Sequence, residues 1–154
     1  MLQPPSQLHR LFYRSHQTPL VKGRLGIVVQ DIIGSAIPRN RSVGITGRLL
    51  VAEGYFIQAL EGGVDAVRTT FARISRDPRH SDVHIISQGA AEHRLFGEWD
   101  MCASTLSPSD DAILSVLGRN SHFKPRALNA ASVQRLLVTV ADIQRRTSSP
   151  ALLL

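Results

Sequence analysis

Apolar residues recur along this chain with two different periods, and the switches between them mark out its elements. LHRLFYRS, residues 8–15, is a short apolar-rich run that reads as a first strand, although its alternation is imperfect. In residues 23–40 the apolar positions Leu25, Val28, Val29, Ile32 and Ala36 follow helical spacing. They predict a first helix, with Pro38 marking its end. SVGITGRLLVAEGYFIQALEG predicts two strands joined by a tight turn at Glu53-Gly54. GVDAVRTTFARISRDP returns to helical spacing through Val64, Val67, Phe71 and Ile74, and Pro78 stops it. DVHIISQGA and WDMCAS predict two more strands.

The order is βαββαβ followed by one more strand. That is the split βαβ arrangement, so the expected fold is α+β and ferredoxin-like, with both helices on one face of the sheet. The other face needs its own cover, and the tail offers it. SPSDDAILSVLG has Ser107 as a cap, Pro108 at the first helical position and Gly118 as a stop. NAASVQRLLVTVADIQRR has Asn129 as a cap and an apolar stripe at Val133, Leu136, Leu137 and Val140. Two C-terminal helices are therefore expected on the open sheet face or against a partner subunit. The expected organisation is a flexible start at 1–7, a folded domain at 8–104, a helical cap at 105–146 and a flexible tail at 147–154.

Composition narrows the class. The 154 residues suit one domain, and 43% hydrophobic with 19% charged residues describes a soluble, globular chain. The net charge of +6 is carried by 16 Arg and 2 Lys. The arginines are spread from Arg10 to Arg146 without a basic run, which argues against a nucleic-acid partner. Cys102 is the only cysteine, so no intramolecular disulfide can form and a reducing compartment is expected. No stretch approaches the ~20 apolar residues of a membrane span. Residues 1–13 lack a signal-peptide apolar region. A cytoplasmic location is expected, without a membrane partner.

Candidate chemistry begins with a misplaced amide. Gln58 sits mid-strand in GYFIQALEG, with Phe56 and Leu60 as its same-face neighbours. A primary amide needs several hydrogen-bond partners, and leaving one buried and unpaired costs roughly 1–3 kcal/mol. Tyr13 shares a face with Leu11 in the first strand. Asn40 follows the predicted first helix. Trp99 and Met101 share a face of the last strand. Each has an ordinary structural role available: a tyrosine bonded to a carbonyl, an asparagine in a turn, a Trp-Met pair filling a core. Arg73 and Asp77 stand one helical turn apart, and Arg79 and His80 follow. The six histidines show no metal-ligand spacing, and no metal site is predicted. There is no nucleophile elbow, no P-loop and no dinucleotide fingerprint.

Read in order, LFYRS, NRSVGITGRLL, GYFIQALEG, ARISRDPRHSDV and RLFGEWDM resemble the BLUF family, blue-light sensors using FAD. The resemblance spans residues 8–104. It implies a blue-light photoreceptor without enzymatic activity, of the short stand-alone type, holding non-covalent FAD, with FMN or riboflavin as alternatives. It implies that the flavin ring slots between the first and second helices. Tyr13 would be the photoactive electron donor, and Gln58 the switch between it and the flavin. Asn40 would bond the ring edge, Arg73 would reach the ring from the second helix, and Ile32 would line it. Asp77, Arg79 and His80 would lie toward the ribityl and phosphate end. Trp99 and Met101 would carry the signal outward. Arg39 departs from the family, whose members often carry His or Asn there. The implied partners are a second copy of the chain and a downstream signalling protein.

Two other classes fit the fold. An acylphosphatase-like hydrolase would use an Asn and an Arg, for which Asn40 and its neighbours offer slight support. An RNA-binding module would stack bases on sheet aromatics, and the 5% aromatic content supplies no such strand motif.

Overall fold

The computed structural model of the chain describes residues 7–97, 103–106 and 124–147, with 103–106 and 144–147 as backbone only. The elements in order are β1 (Leu8–Gln17), α1 (Leu25–Val43), β2 (Thr46–Ala52), β3 (Tyr55–Gly63), α2 (Val64–Arg76), β4 (His80–Ala90) and β5 (Ala103–Leu106), then a 3-10 turn (Pro125–Ala127) and α3 (Ala130–Thr147). The sheet order is β4-β1-β3-β2-β5. The first four strands form an antiparallel sheet, and β5 joins β2 in parallel. This is the expected ferredoxin-like α+β arrangement. Among the described residues no helix is long and apolar enough to cross a membrane.

The β2–β3 turn forms where the sequence places it. Ala52 pairs with Tyr55, and Glu53 and Gly54 take φ of 48° and 84°. Two consecutive positive φ angles match the right-handed twist of the flanking strands, which is why glycine suits the second position.

The first helix does not stop at Pro38. It runs five residues further, so Asn40 lies inside it, buried, rather than after it. A proline removes one N–H and crowds the carbonyl four residues back, here that of Gly34. Packing on both sides of Pro38 outweighs that cost. Ala36 and Ile37 lie against the sheet core before it, and Asn40 is buried after it. The true stop is Gly44, at φ 73°, whose N–H and that of Ile45 both turn back to the Asn40 carbonyl.

Strand alternation divides the interior into two cores. Leu11, Tyr13, Leu49, Val51, Phe56 and Leu60 face α1 and α2. Phe12, Leu50, Ala52, Ile57 and Ala59 face the opposite way, against Val133, Leu136, Leu137 and Val140 of α3. The α3 stripe is fully buried, whereas the α1 stripe is only half-buried. Asn129 caps α3 as its sequence suggested, accepting from the Ser132 N–H at 2.9 Å while Ser132 Oγ accepts from the Asn129 N–H at 2.9 Å. The second expected tail helix, at 107–118, and the positions Trp99 and Met101 lie outside the described residues.

One buried carboxylate ties the segment after β4 to the sheet. Glu61 of β3 accepts the backbone N–H groups of Leu95 and Phe96, each at 2.8 Å, and pairs with Arg10 Nε at 2.8 Å. Arg94 reaches back to the carbonyls of Gly44 at 2.8 Å and Glu61 at 3.2 Å. Phe96 is thereby seated in the α3 core.

Candidate functional site

A cleft opens between α1 and α2 over the sheet face those helices cover. Counted to its mouth, with the open solvent there, its empty space is about 570 Å³. Its lining includes Tyr13, Ile32, Asn40, Gln58, Arg73, Asp77, Arg79 and His80, which brings together every sequence-nominated cofactor residue.

The centre is a cross-strand pair. Tyr13 of β1 stands directly opposite Gln58 of β3 in the ladder, and Gln58 in turn opposite Leu49 of β2. Opposed residues share a face, so the two polar groups meet although 45 positions separate them in sequence. The Tyr13 hydroxyl donates to Gln58 Oε1. Tyr13 is fully buried, and burial pushes its hydroxyl well above the ordinary tyrosine value, with the Asp77 charge adding to the shift. Its ring packs at 5.5 Å from that of Phe71.

His80 completes the strand side. Its ring lies 4.5 Å from that of Phe56 and edge-on to Tyr13 at 6.2 Å. Its Nδ1 is 2.7 Å from Ser15 Oγ. Burial pushes the imidazole down to about 4, against the opposing pull of Asp77 and with a smaller push from Arg79. Between the ordinary value of 6.5 and about 4, the unfolded chain takes up a proton that folded His80 refuses. The folded state therefore loses stability as pH falls through that window. The wild-type thermal midpoint should drop between pH 6.5 and 4, and His80→Gln should lessen the drop. Parallel profiles for the two proteins would contradict this.

Asp77 and Arg79 form a tight pair in the turn after α2. The Asp77 carboxylate accepts Arg79 Nε at 2.9 and 3.0 Å, also Nη2, and the Arg79 backbone N–H at 2.9 Å. Burial alone would raise the Asp77 carboxyl, but these bonds and the Arg79 charge hold it below the usual value.

The helices supply the rest. Ile32 and Asn40 project from α1, and Arg73 from α2. Further residues line the cleft: Arg39 on α1, already singled out as a departure from the family, with Ser35 and Ala36 beside it, and Thr70 and Ile74 on α2. Helical spacing carried their signal, since 32, 35, 36, 39 and 40 share one face of α1, and 70, 73 and 74 one flank of α2.

The lining has two chemistries. Ile32, Ala36, Leu49, Leu60 and Ile74 are apolar walls, while Asn40, Gln58, Thr70 and Ser35 offer amides and hydroxyls. A flat heteroaromatic ring with donors and acceptors along one edge suits such a set, because each amide can both donate and accept. The guanidiniums of Arg39, Arg73 and Arg79 suit an anionic substituent. A flavin combines these features, and the residues present fit one.

Fold and cleft together define a ferredoxin-like α+β domain with a ligand slot between its two sheet-covering helices. Residues 8–102 match the model of the BLUF family, sensors of blue-light using FAD, and the chain belongs to that family. It is 33% identical over 120 residues to the photoactivated adenylate cyclase subunit alpha of Euglena gracilis, an alignment covering 75% of this chain and 12% of that protein. The chain thus spans only a small fraction of the curated relatives it resembles. Among solved structures it is similar to BlsA in its photo-activated state, with a TM-score of 0.74 and 27% identity over 84% of this chain and 91% of that one. It is likewise similar to BlrB, a BLUF protein in its dark state, with a TM-score of 0.70 and 27% identity over 90% of this chain and 98% of that one. Nothing among these relatives supports the hydrolase alternative.

Proposed function

We propose that the chain senses blue light through FAD held non-covalently in the α1–α2 cleft, and that Tyr13 and Gln58 are its switch. The observation that carries this is the buried Tyr13–Gln58 hydrogen bond on the wall of that cleft. Asn40, Gln58 and Arg73 would hold the ring, with Ile32 against it. Asp77, Arg79 and His80 would stand toward the chain end. The flavin, when bound, supplies the blue absorption and the electron acceptor. Tyr13 is the donor of an electron and a proton. Its hydroxyl already points its proton at Gln58 Oε1, and burial opposes release of that proton in the dark. The tyrosine proton would pass along the bond it already makes, to Gln58 Oε1, and Gln58 would then rearrange by rotation or by tautomerising. A donor and an acceptor exchanged at one position change what the cleft offers its ligand. The strand that carries Gln58 also carries Glu61, which holds the segment leading toward Trp99 and Met101.

The signal then passes by protein contacts rather than by catalysis within this chain, to a second copy and to a downstream partner. The single cysteine supports a reducing, cytoplasmic setting. The test is an absorption spectrum of the purified chain before and after blue light. A yellow protein whose visible bands move slightly to the red and recover in the dark is expected. A chain that takes up no flavin, or whose flavin spectrum is indifferent to light, would overturn the proposal.

A further inference from the structure

The cleft carries more positive charge than its carboxylates balance. Arg39 from α1, Arg73 from α2 and Arg79 from the following turn line it, against one lining carboxylate, Asp77. That carboxylate is already engaged by Arg79 through Nε and Nη2. Among the described residues neither Arg39 nor Arg73 has an ion-pair partner. Asp31 of α1 lies close enough to Arg79 for its charge to be felt, but it does not line the cleft. Counting it still leaves three guanidiniums facing two carboxylates.

A neutral ring on a neutral polyol chain has use for one guanidinium at its edge, which Arg73 supplies, but none for a second. The amides and hydroxyls satisfy its edge, and the apolar walls satisfy its faces. A phosphate does have a use for it, since guanidinium N–H groups meet phosphate oxygens in pairs. The three arginines are not equivalent. Arg79 is held by Asp77, and Arg73 is the one assigned to the ring. Arg39 is exposed, one position from buried Asn40, and has no other duty among the described residues.

We infer that the cleft selects flavins bearing a phosphate, FMN and FAD, over riboflavin, and that Arg39 is the selecting residue. This rests on the flavin reading above. The attraction is partly screened at an exposed position, so the selectivity is modest and salt-dependent. The full chain, stripped of flavin, should be titrated with riboflavin, FMN and FAD by fluorescence quenching. At low salt the wild type should bind the two phosphorylated flavins about tenfold more tightly than riboflavin. Arg39→Gln should collapse that ratio to within about threefold, while Arg39→Lys, which keeps the charge but not the paired N–H groups, should give a ratio between those of Arg39→Gln and the wild type. The flavin extracted from freshly purified protein gives a second reading that needs no stripping: riboflavin should rise as a share in Arg39→Gln. Equal affinities in the wild type, or a ratio and a flavin content unmoved by Arg39→Gln, would overturn the selectivity and leave the photoreceptor reading intact. Failure of all three flavins to bind would overturn both.

Discussion

Gln58→Leu should yield a chain that still binds flavin but no longer shifts its spectrum to the red under blue light. Leucine fills much the same space in the strand, between Phe56 and Leu60, so β3 and its pairing with β1 and β2 should persist. What disappears is the acceptor for the Tyr13 hydroxyl and the only amide opposite it in the ladder. The hydroxyl is then buried beside an apolar side chain, at a cost of about 1–3 kcal/mol. The variant should be less stable than the wild type by that amount and inert to light, two separable readouts. Asn40, Arg73 and the apolar walls remain to hold the ring, so retention of flavin is part of the expectation. A normal red shift in Gln58→Leu would show that the switch lies elsewhere in the cleft.

Glu61→Ala should be strongly destabilising although it lies outside the cleft. The carboxylate is fully buried and satisfies two backbone N–H groups and Arg10 at once. Alanine leaves the buried Phe96 N–H, the half-buried Leu95 N–H and the partly exposed Arg10 guanidinium without that acceptor, and breaking a buried pair on one side typically costs about 3–5 kcal/mol. At roughly 2–4 °C per kcal/mol for a chain of this size, the thermal midpoint should fall by about 10 °C. Glu61→Gln keeps one carbonyl acceptor and should fall less. A midpoint within about 2 °C of wild type for Glu61→Ala would show that residues 93–96 are held by something else.

The element order was legible because each switch of period is punctuated by a residue with one strong preference: Pro78 after α2, Glu53-Gly54 between β2 and β3, Asn129 before α3. The end of α1 was not legible. Pro38 is a strong local stop, and its override comes from Ala36, Ile37 and Asn40 packing against strands whose proximity no local pattern reveals. The polar side chains of the cleft stood out as amides and hydroxyls in apolar surroundings, and the resemblance ordered them into one site. Thr70 and Ser35 escaped notice because on a helix such residues usually face water, whereas Arg39 was noticed only as a departure from the family. Only the position of the cleft distinguishes them. Glu61 escaped for a different reason. Its main partners are backbone N–H groups some 34 and 35 positions away, and a backbone donor carries no residue-type signature.

The division of the sheet into two cores also sets how substitutions in this chain combine. Ile57 and Gln58 are adjacent in sequence but face different interiors, so changes at the two share no side-chain packing partners and couple only through the backbone between them. Tyr13 and Gln58 are 45 positions apart yet share one hydrogen bond, so the consequence of altering either depends on what occupies the other. Distance along the chain is thus a poor guide to epistasis here. Inherited variation in β3 is expected to partition by odd and even position, with the even set tied to the cleft and the odd set tied to α3.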